Sequence, residues 1–525
     1  MILAWIIGLL MGGGLLAFML GRWNKTLPRW ISLFTLLAGF LAWVSFWIDN
    51  YQTVKISLSN TWIMEYRHDW VPSFGISFHL AIDGLSLLLL VLTFFLGILA
   101  VVSSWNEVKE RVGFYHFNLL WILAGISGVF MAMDLFLFYF FWEVMLIPMY
   151  FLIGIWGSEN REFAAYKFFI FTQASGLMML LAILGLYYIH GVNTGNYTFN
   201  YLELLGTSIP PGIAFWLMLG FMIAFVVKLP IVPFHSWLPD AHSEAPTAGS
   251  LILAGLLLKT GAYGILRFVL PLFPEASENI APLAMLLGVI GIIYGAVLAY
   301  AQTDLKRLVA YTSVSHMGFV ILGIFAFSEL ALQGVVMQLV THAISTGALF
   351  IMAGMLKERL HTRDINKMGG LWTDMPVMGT MGMVLAMASL GLPGLGNFIA
   401  EFLILLGAFK ANLWLTVIAA VGLVFSAVYS LSIVQKVFLG PSHKVDKVQD
   451  FSWREISIMA AFVLSIVWLG LYPQPVIDTA KPMIIKIEKL FSKETMINLP
   501  IKNSDDSKSS VNTVRSPSNP QPYVR

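Results

Sequence analysis

The sequence predicts an all-α polytopic membrane protein with about fourteen transmembrane helices. Of its 525 residues, 58% are hydrophobic and 11% are charged, and the mean hydropathy is +0.80. Soluble domains carry about twice that share of charge. Apolar runs of about 18 or more residues recur along the chain, and in lipid each must form a helix because no water is present to bond a bare backbone. The runs lack the apolar–polar alternation of barrel strands, which excludes a β-barrel.

Charge and cysteine content exclude several classes of function. The net charge of +2 gives no reason to expect a nucleic-acid partner. The chain has no cysteine, so it holds no disulfide, no thiolate-bound iron–sulfur cluster and no cysteine nucleophile. Any associated redox chemistry is therefore expected in other proteins.

The two ends and the loops of the chain predict its topology. The first apolar run, "ILAWIIGLLMGGGLLAFML", follows no basic region and shows no small-residue cleavage site, so we interpret it as a retained helix. Most loop lysines and arginines fall in the odd-numbered loops, which places both termini on the outer face by the positive-inside rule. Outer residues 49–80 predict a short hairpin or a surface helix. After Tyr472, apolar residues at helical spacing predict an interfacial amphipathic helix, and a disordered tail follows from about Asn498.

Two weak internal similarities predict a duplication. "FIFTQASGLMMLLAILG" around Thr172 resembles "MQLVTHAISTGALFIMAG" around Thr341, and Pro230 and Pro393 interrupt apolar segments at nearly the same offset. Chance similarity between apolar segments is the alternative. A duplicated five-helix unit would be inverted in the membrane, and interrupted helices in inverted repeats point to a transport site.

The predicted organisation has five parts. They are the N-terminal three spans and outer loop (1–113), the first inverted five-helix repeat (114–275), the second inverted five-helix repeat (276–440), the last span with the amphipathic helix (441–495), and the disordered tail (496–525).

Four charged residues lie well inside apolar segments: Glu143, Lys228, Lys259 and Glu401. A charge near the bilayer centre costs about 2.5–3.5 kcal/mol or more, so each is a candidate functional residue. Snorkelling of the lysines to the headgroups and a purely structural ion pair are the alternatives.

A lysine and a carboxylate at this depth form a proton switch. Lys228 next to Glu143 is expected to hold a proton, and Lys228 separated from it is expected to release one. Lys259 is then the acceptor, and Glu401 passes the proton onward on the second repeat. All four residues are therefore candidates for proton translocation.

Histidines and prolines complete the candidate path. His235, His316 and His342 are candidate proton relays, because imidazole titrates near neutral pH and transfers protons through either nitrogen. A histidine bonded to a backbone carbonyl is the alternative, and haem ligation has no further support. His242, near Asp240 and Glu244, is predicted to be a surface or funnel residue rather than a metal ligand.

Proline breaks beside the charges predict water in the membrane. Pro230, Pro233 and Pro393 each remove a helical hydrogen bond and free a carbonyl, which only a cavity or water can satisfy at this depth. Pro148, five residues beyond Glu143, is expected to kink its helix in the same way.

The stretch "KLPIVPFHSWLPDAHSEAPTAGSLILAGLLLKTGAYGILRF" closely resembles the signature segment of the antiporter-like proton-pumping subunits of respiratory complex I. The same family includes subunits of multi-subunit cation/proton antiporters and of membrane-bound hydrogenases. The resemblance implies two inverted five-helix repeats, with a glutamate–lysine pair at Glu143 and Lys228, a central lysine at Lys259 and an exit residue at Glu401. The exit residue is usually lysine in the family, but here it is Glu401, within "ASLGLPGLGNFIAEF". This glutamate favours a complex I subunit over the antiporter and hydrogenase alternatives.

The resemblance also implies partners and a location. It implies a proton-translocating subunit of NADH:quinone oxidoreductase in the bacterial inner membrane, in contact with lipid and with neighbouring antiporter-like subunits of the membrane arm. No cofactor or metal is expected in this chain; NADH, flavin, iron–sulfur clusters and quinone are expected in other subunits.

Overall fold

The computed structural model describes residues 1–56, 62–441 and 448–492. Within these ranges, thirteen helices are long and apolar enough to cross a membrane, which confirms the all-α membrane class. The predicted disordered tail lies outside the described residues.

The N-terminal part contains three of these helices and one hairpin. Its elements are α1 (Ile2–Leu20), α2 (Leu27–Ile56), β1 (Met64–Val71), β2 (Ile76–Ile82) and α3 (Gly84–Ser103). Of the two forms predicted for the outer loop, the structure has the antiparallel hairpin. Its turn contains Gly75 at φ +65°, in the left-handed region that glycine adopts without strain.

A first block of helices follows. It consists of α4 (Val112–Met131), α5 (Leu135–Trp156), α6 (Arg161–Thr194), α7 (Tyr201–Leu204), α8 (Pro211–Lys228), α9 (Trp237–Glu244) and α10 (Thr247–Leu272). Pro148 lies inside α5, which continues through it. The Asp134 carboxylate caps this helix by accepting from the backbone N–H groups of Phe136 and Leu137.

A second block has the same order of long and interrupted helices. It consists of α11 (Pro274–Ala301), α12 (Leu305–Ile324), α13 (Glu329–Leu360), α14 (Leu371–Asp374), α15 (Pro376–Leu390), α16 (Gly396–Ala411) and α17 (Leu413–Phe438). In each block the fourth crossing is broken. This order is consistent with the predicted inverted repeats, whose symmetry stays a prediction.

The spans predicted at residues 212–237 and 376–409 are both interrupted in the structure, at the positions where Pro230, Pro233 and Pro393 predict a break. The first helix ends at Lys228 and resumes at Trp237, and the second is divided between α15 and α16. Hydropathy alone does not reveal the breaks, because the connecting residues are themselves apolar. The second division accounts for thirteen long helices where fourteen spans are predicted.

The two central helices are buried along their apolar lengths. Helices α10 and α13 are enclosed by the rest of the bundle, whereas α1, α2 and α18 (Trp453–Leu471) expose much of theirs. Lys259 on α10 and His342 on α13 therefore lie far from lipid.

The last helix, α19 (Gln474–Leu490), occupies the segment predicted to be amphipathic. Near its start, Asp478 accepts a salt bridge from Lys55 at 2.7 Å. Just beyond its end, the Phe491 ring stacks on Phe327 with centroids 3.9 Å apart. The helix is thus attached to both the N-terminal part and the second block.

Candidate functional site

The first helix break follows Lys228, the last residue of α8. Pro230 and Pro233 both lie in it, as the sequence predicts. Proline donates no backbone hydrogen bond, so carbonyls of the preceding turn lose helical partners. The Trp237 indole N–H donates to one carbonyl of that turn, that of Val227, at 2.8 Å. Any carbonyl left without such a donor needs water at this depth.

The second break separates α15 from α16. Pro393 lies in it between two glycines with positive φ, Gly391 at +80° and Gly394 at +94°. Side chains other than hydrogen are strained in this left-handed conformation. The break is therefore encoded by the glycines as well as by the proline.

Lys228 is buried at the C-terminal end of α8, with 1% exposed. Its Nζ lies 5.0 Å from the centroid of the Trp142 ring and 5.7 Å from that of Phe168. Among the described residues, none accepts a hydrogen bond from it. A cation–π contact contributes about 0.5–2 kcal/mol, less than the loss of hydration costs an ammonium group. The group therefore needs a further partner, such as water in the break.

Glu143 lies half-buried on α5. Its Oε1 is buried without a hydrogen-bond partner among the described residues, and a Cβ placed on Gly176 would lie 3.0 Å from it. Glu143 and Lys228 interact electrostatically, but no salt bridge within 4.0 Å joins them. The structure therefore places the predicted pair near each other without bringing it into contact.

The central lysine, Lys259, is fully buried on α10. π-Helical turns at Leu253–Leu257 and Ile265–Val269 flank it. Such turns interrupt regular helical bonding and often occur at functional sites. Its Nζ donates to the Ala254 carbonyl at 2.5 Å and lies 2.7 Å from His342 Nδ1. Because both contacts lie inside the bundle, the side chain does not snorkel.

Two histidines connect this lysine with the carboxylate of the second block. The rings of His342 and His316 pack edge-on, with centroids 5.4 Å apart. His316 Nδ1 lies 2.8 Å from Glu401 Oε1, and its Nε2 lies 3.3 Å from the Tyr429 hydroxyl. Gln338 Nε2 donates to the same carboxylate oxygen at 3.3 Å. If Tyr429 donates to His316, the Nδ1 proton of His316 is directed at Glu401.

The structure therefore brings four predicted residues together in one buried line: Lys259, His342, His316 and Glu401. They come from α10, α13, α12 and α16, and each is at most 1% exposed. His342 Nε2 and Glu401 Oε2 have no partner among the described residues. Buried polar atoms without partners mark positions where ordered water fits. An ammonium group, two imidazoles and a carboxylate in this order are able to pass a proton.

A cavity of about 270 Å³ adjoins the carboxylate end of this line. It lies at the second break and is lined by Pro393, Glu401 and the exposed side chains of Leu392 and Phe402. Its volume is enough for several water molecules. The cavity leads from the carboxylate toward the surface of the described chain.

His235 lies in the first break but is not part of this line. Its ring packs edge-on against Tyr294, at 5.3 Å between centroids, and 6.3 Å from Tyr311. Its Nδ1 is buried without a hydrogen-bond partner among the described residues. The structure therefore places His235 between the first break and the second block.

His242 is fully buried, and its prediction as a surface or funnel residue is wrong. Its ring stacks on Phe350 with centroids 4.3 Å apart, and neither ring nitrogen has a partner among the described residues. It interacts electrostatically with Lys259 and with Lys306, a third buried lysine, which sequence reasoning missed. The Lys306 Nζ donates to the Ala245 carbonyl at 2.8 Å. Lys306 lies in the first turn of α12, next to a loop, so the sequence does not distinguish it from an ordinary loop lysine.

The acidic neighbours of His242 have structural partners. Asp240 forms salt bridges with Lys167 at 2.7 Å and with Arg307 at 3.0 Å, and Glu244 accepts from the Asn160 backbone at 3.0 Å. In the described ranges, no group of three or more His, Asp or Glu side chains is arranged to hold a metal ion.

Comparison with known proteins is consistent with this architecture. The sequence model of the family described as "NADH:quinone oxidoreductase/Mrp antiporter, TM" matches residues 132–426. The chain is 54% identical to NADH-quinone oxidoreductase subunit M of Pseudomonas aeruginosa, over 91% of this chain and 96% of that protein. It is 51% identical to NADH-quinone oxidoreductase subunit M of Escherichia coli, over 94% of this chain and 98% of that protein.

A solved structure shows the same fold. A chain of respiratory complex I from Thermus thermophilus with bound NADH superimposes with a TM-score of 0.83 at 30% identity, covering 93% of this chain and all of that one. With these relatives and this fold, the chain belongs to the NADH:quinone oxidoreductase/Mrp antiporter membrane family and, within it, to the NADH-quinone oxidoreductase subunit M proteins.

Proposed function

We propose that the chain translocates protons across the bacterial inner membrane as a subunit of NADH:quinone oxidoreductase. The observation that carries the proposal is the buried line Lys259–His342–His316–Glu401, with contacts of 2.7 and 2.8 Å at its two ends. Charged and titratable groups are costly in a membrane interior and mark ion or proton pathways. A purely structural role does not require four titratable groups to lie one after another in the membrane interior.

The first step uses Glu143 and Lys228. In the separated arrangement the Lys228 ammonium has aromatic faces but no carboxylate contact, and it gives up its proton more readily than when paired. A small movement of α5 or α8 toward contact reverses this preference. The pair thus converts a helix displacement, driven from elsewhere in the complex, into proton release.

The next steps run along the buried line. Lys259 Nζ–H donates its proton to His342 Nδ1, and the opposite nitrogen, Nε2, gives up its proton toward His316 through a bridging water. His316 Nδ1–H donates to Glu401 Oε1. Each imidazole accepts on one nitrogen and releases from the other, so each returns to neutral with its proton exchanged.

Release occurs from Glu401. The protonated carboxyl group passes its proton to water in the cavity at the second break, and the gap between α15 and α16 provides the outlet. His242 lies within electrostatic reach of Lys259 and completes the polar interior on the first-block side. His235 and the prolines of the first break admit water near Lys228.

The remaining chemistry lies outside this chain. NADH, flavin, iron–sulfur clusters and quinone belong to other subunits, and neighbouring antiporter-like subunits of the membrane arm are the direct partners. Both termini face the outer side in this proposal. The alternative, a subunit of a cation/proton antiporter or a hydrogenase, shares the family, but relatives at 51–54% identity carry the oxidoreductase name.

Replacing Lys259 by methionine in the whole complex tests the proposal. Methionine keeps much of the length and volume and removes the charge and the proton. We expect NADH-driven proton uptake by inverted membrane vesicles to fall strongly, with the complex still assembled. Lys410→Met is the matched control, because this lysine is exposed at the end of α16. An assembled Lys259→Met complex with an unchanged proton-to-electron ratio would overturn the proposal.

A further inference from the structure

A second cavity, of about 430 Å³, lies beneath α19. It is bounded by the end of α10 and the start of α3, and apolar side chains including Leu205, Leu266, Met483 and Ile487 form most of its wall. Pockets that hold small ligands have volumes of roughly 300–1,000 Å³. The cavity is therefore large enough for a hydrocarbon chain, and it is separate from the proton path.

One buried ion pair lies at the polar end of this cavity. Arg267 is 7% exposed, pairs with Asp83 and lies over the Trp62 ring, 5.2 Å from its centroid. The other oxygen of Asp83 accepts from the Ser86 backbone N–H at 3.0 Å. Both carboxylate oxygens of Asp83 thus already have donors from the protein.

One buried donor at this end has no partner, and an exposed lysine lies near it. The Trp62 Nε1–H is buried and has no acceptor among the described residues. Lys486, on α19, also lines the cavity and forms no salt bridge with any described residue. Burial lowers the pKa of Lys486, nearby Asp83 raises it and nearby Arg267 lowers it. With two cations and one anion lining the cavity, one positive charge is in excess.

We propose that this cavity binds an anionic phospholipid, with an acyl chain against its apolar wall and the phosphate against Lys486 and the Trp62 N–H. The unsatisfied Trp62 N–H requires an acceptor oxygen, the excess positive charge favours a negative group, and the apolar wall favours hydrocarbon. The site lies where α3 begins and α10 ends, which is the level of the headgroups. Basic pockets between membrane helices bind anionic headgroups in this way.

A neutral quinone matches these features less well. It has hydrocarbon and acceptor oxygens but no charge to offset the excess cation. A lipid headgroup also explains why Lys486 of α19 lines a mostly apolar cavity. It makes α19 a lipid-dependent element of the structure, independent of proton transfer.

Photocrosslinking of the whole detergent-solubilised complex tests the site. The probes are phosphatidylglycerol and phosphatidylcholine with the same photoreactive acyl chain, and crosslinked peptides are identified by mass spectrometry. We expect phosphatidylglycerol to label peptides 476–490 and 262–274 in preference to phosphatidylcholine. Equal labelling by the two probes would overturn the anionic part of the proposal, and no labelling of these peptides would overturn the site.

Variants at the polar end sharpen the test. A surface lysine contributes about fivefold to binding of anionic lipid, so Lys486→Gln should lower phosphatidylglycerol labelling about fivefold and Lys486→Glu about thirtyfold. Trp62→Phe keeps an aromatic ring but removes the N–H donor, and should weaken labelling without abolishing it. Lys481→Glu is the matched control and should leave labelling unchanged, because Lys481 is an exposed lysine of the same helix that does not line the cavity.

Two further outcomes identify other occupants. Loss of labelling in the presence of excess quinone would show a neutral amphiphile in the cavity and overturn the proposal. Appearance of labelling only after truncation beyond residue 492 would show that the chain's own tail occupies it, which also overturns the proposal. Both readouts are independent of pumping, so they stand or fall separately from the proposed proton path.

Discussion

Replacing Glu401 by glutamine tests the carboxylate end of the buried line. The substitution keeps the shape of the side chain but removes its negative charge and its ability to carry a proton. In the wild type, Glu401 is 1% exposed and lies 2.8 Å from His316 Nδ1. A hydrogen bond to a charged group contributes about 1.5–3 kcal/mol. If that stabilisation is lost when the proton reaches this end, the transfer slows about 10- to 150-fold.

The assay compares two rates in the same vesicles. NADH oxidation is measured with an uncoupler, and proton uptake is measured without it, in inverted membranes that contain equal amounts of assembled complex. We expect Glu401→Gln to lower proton uptake more than uncoupled NADH oxidation. Glu401→Asp keeps the carboxylate at a greater distance from His316 and should retain part of the uptake.

A matched control exists in the hairpin. Glu65 Oε1 lies 2.7 Å from His79 Nε2, so this pair has the same chemistry as Glu401 and His316 but lies outside the spanning helices. Glu65→Gln should leave the ratio of the two rates unchanged. If Glu401→Gln also leaves it unchanged in assembled complex, the carboxylate does not carry the proton and the outlet lies elsewhere.

Four further outcomes are expected. Lys228→Ala and Glu143→Gln should each depress NADH-driven proton uptake with the complex present in the membrane, as checked by blotting and by uptake assays. Glu401→Lys should retain partial uptake, because an amine also carries a proton. Gly391→Ala should lower the unfolding free energy by about 1–2 kcal/mol in thermal denaturation, because φ is +80° there. Burial raises the pKa of Asp478, but its hydrogen bonds and ion pair outweigh this effect and hold the pKa below the usual 3.8. Protection of α19 from protease should therefore be complete above pH 3.8 and decline as the pH falls below that value. Asp478→Asn should remove this decline.

Much of the fold was predictable because the membrane restricts the possibilities. Runs of apolar residues must be helices in lipid, so composition and run length alone predict the class and nearly all of the crossings. The breaks at Pro230 and Pro393 were predictable in place but not in extent. How many residues leave the helix depends on contacts such as the Trp237 bond to Val227, which join residues across the break.

The members of the candidate site are predictions from the sequence, whereas their contacts could not be predicted from it. Charges inside apolar runs identify Lys259 and Glu401, yet the line between them depends on which faces of four helices meet, over separations of 83 and 85 residues at its ends. The distance between Glu143 and Lys228 could not be predicted from the sequence, and in the structure no salt bridge within 4.0 Å joins them. His242 was misjudged because its polar neighbours suggest a surface loop, whereas the segment continues as helix α9 into the bundle, where Phe350 covers the ring.

Lys228 and Lys259 differ in the contacts that stabilise their ammonium groups. Lys228 has aromatic faces, which contribute about 0.5–2 kcal/mol, whereas Lys259 has two hydrogen-bond contacts inside the bundle. The first arrangement depends on a carboxylate that is near but not in contact, so small movements change its energy most. The second is held by contacts that a small movement of α5 or α8 leaves in place. In the proposed path we therefore expect Lys228 and Glu143 to control proton release, and the line that starts at Lys259 to conduct the proton.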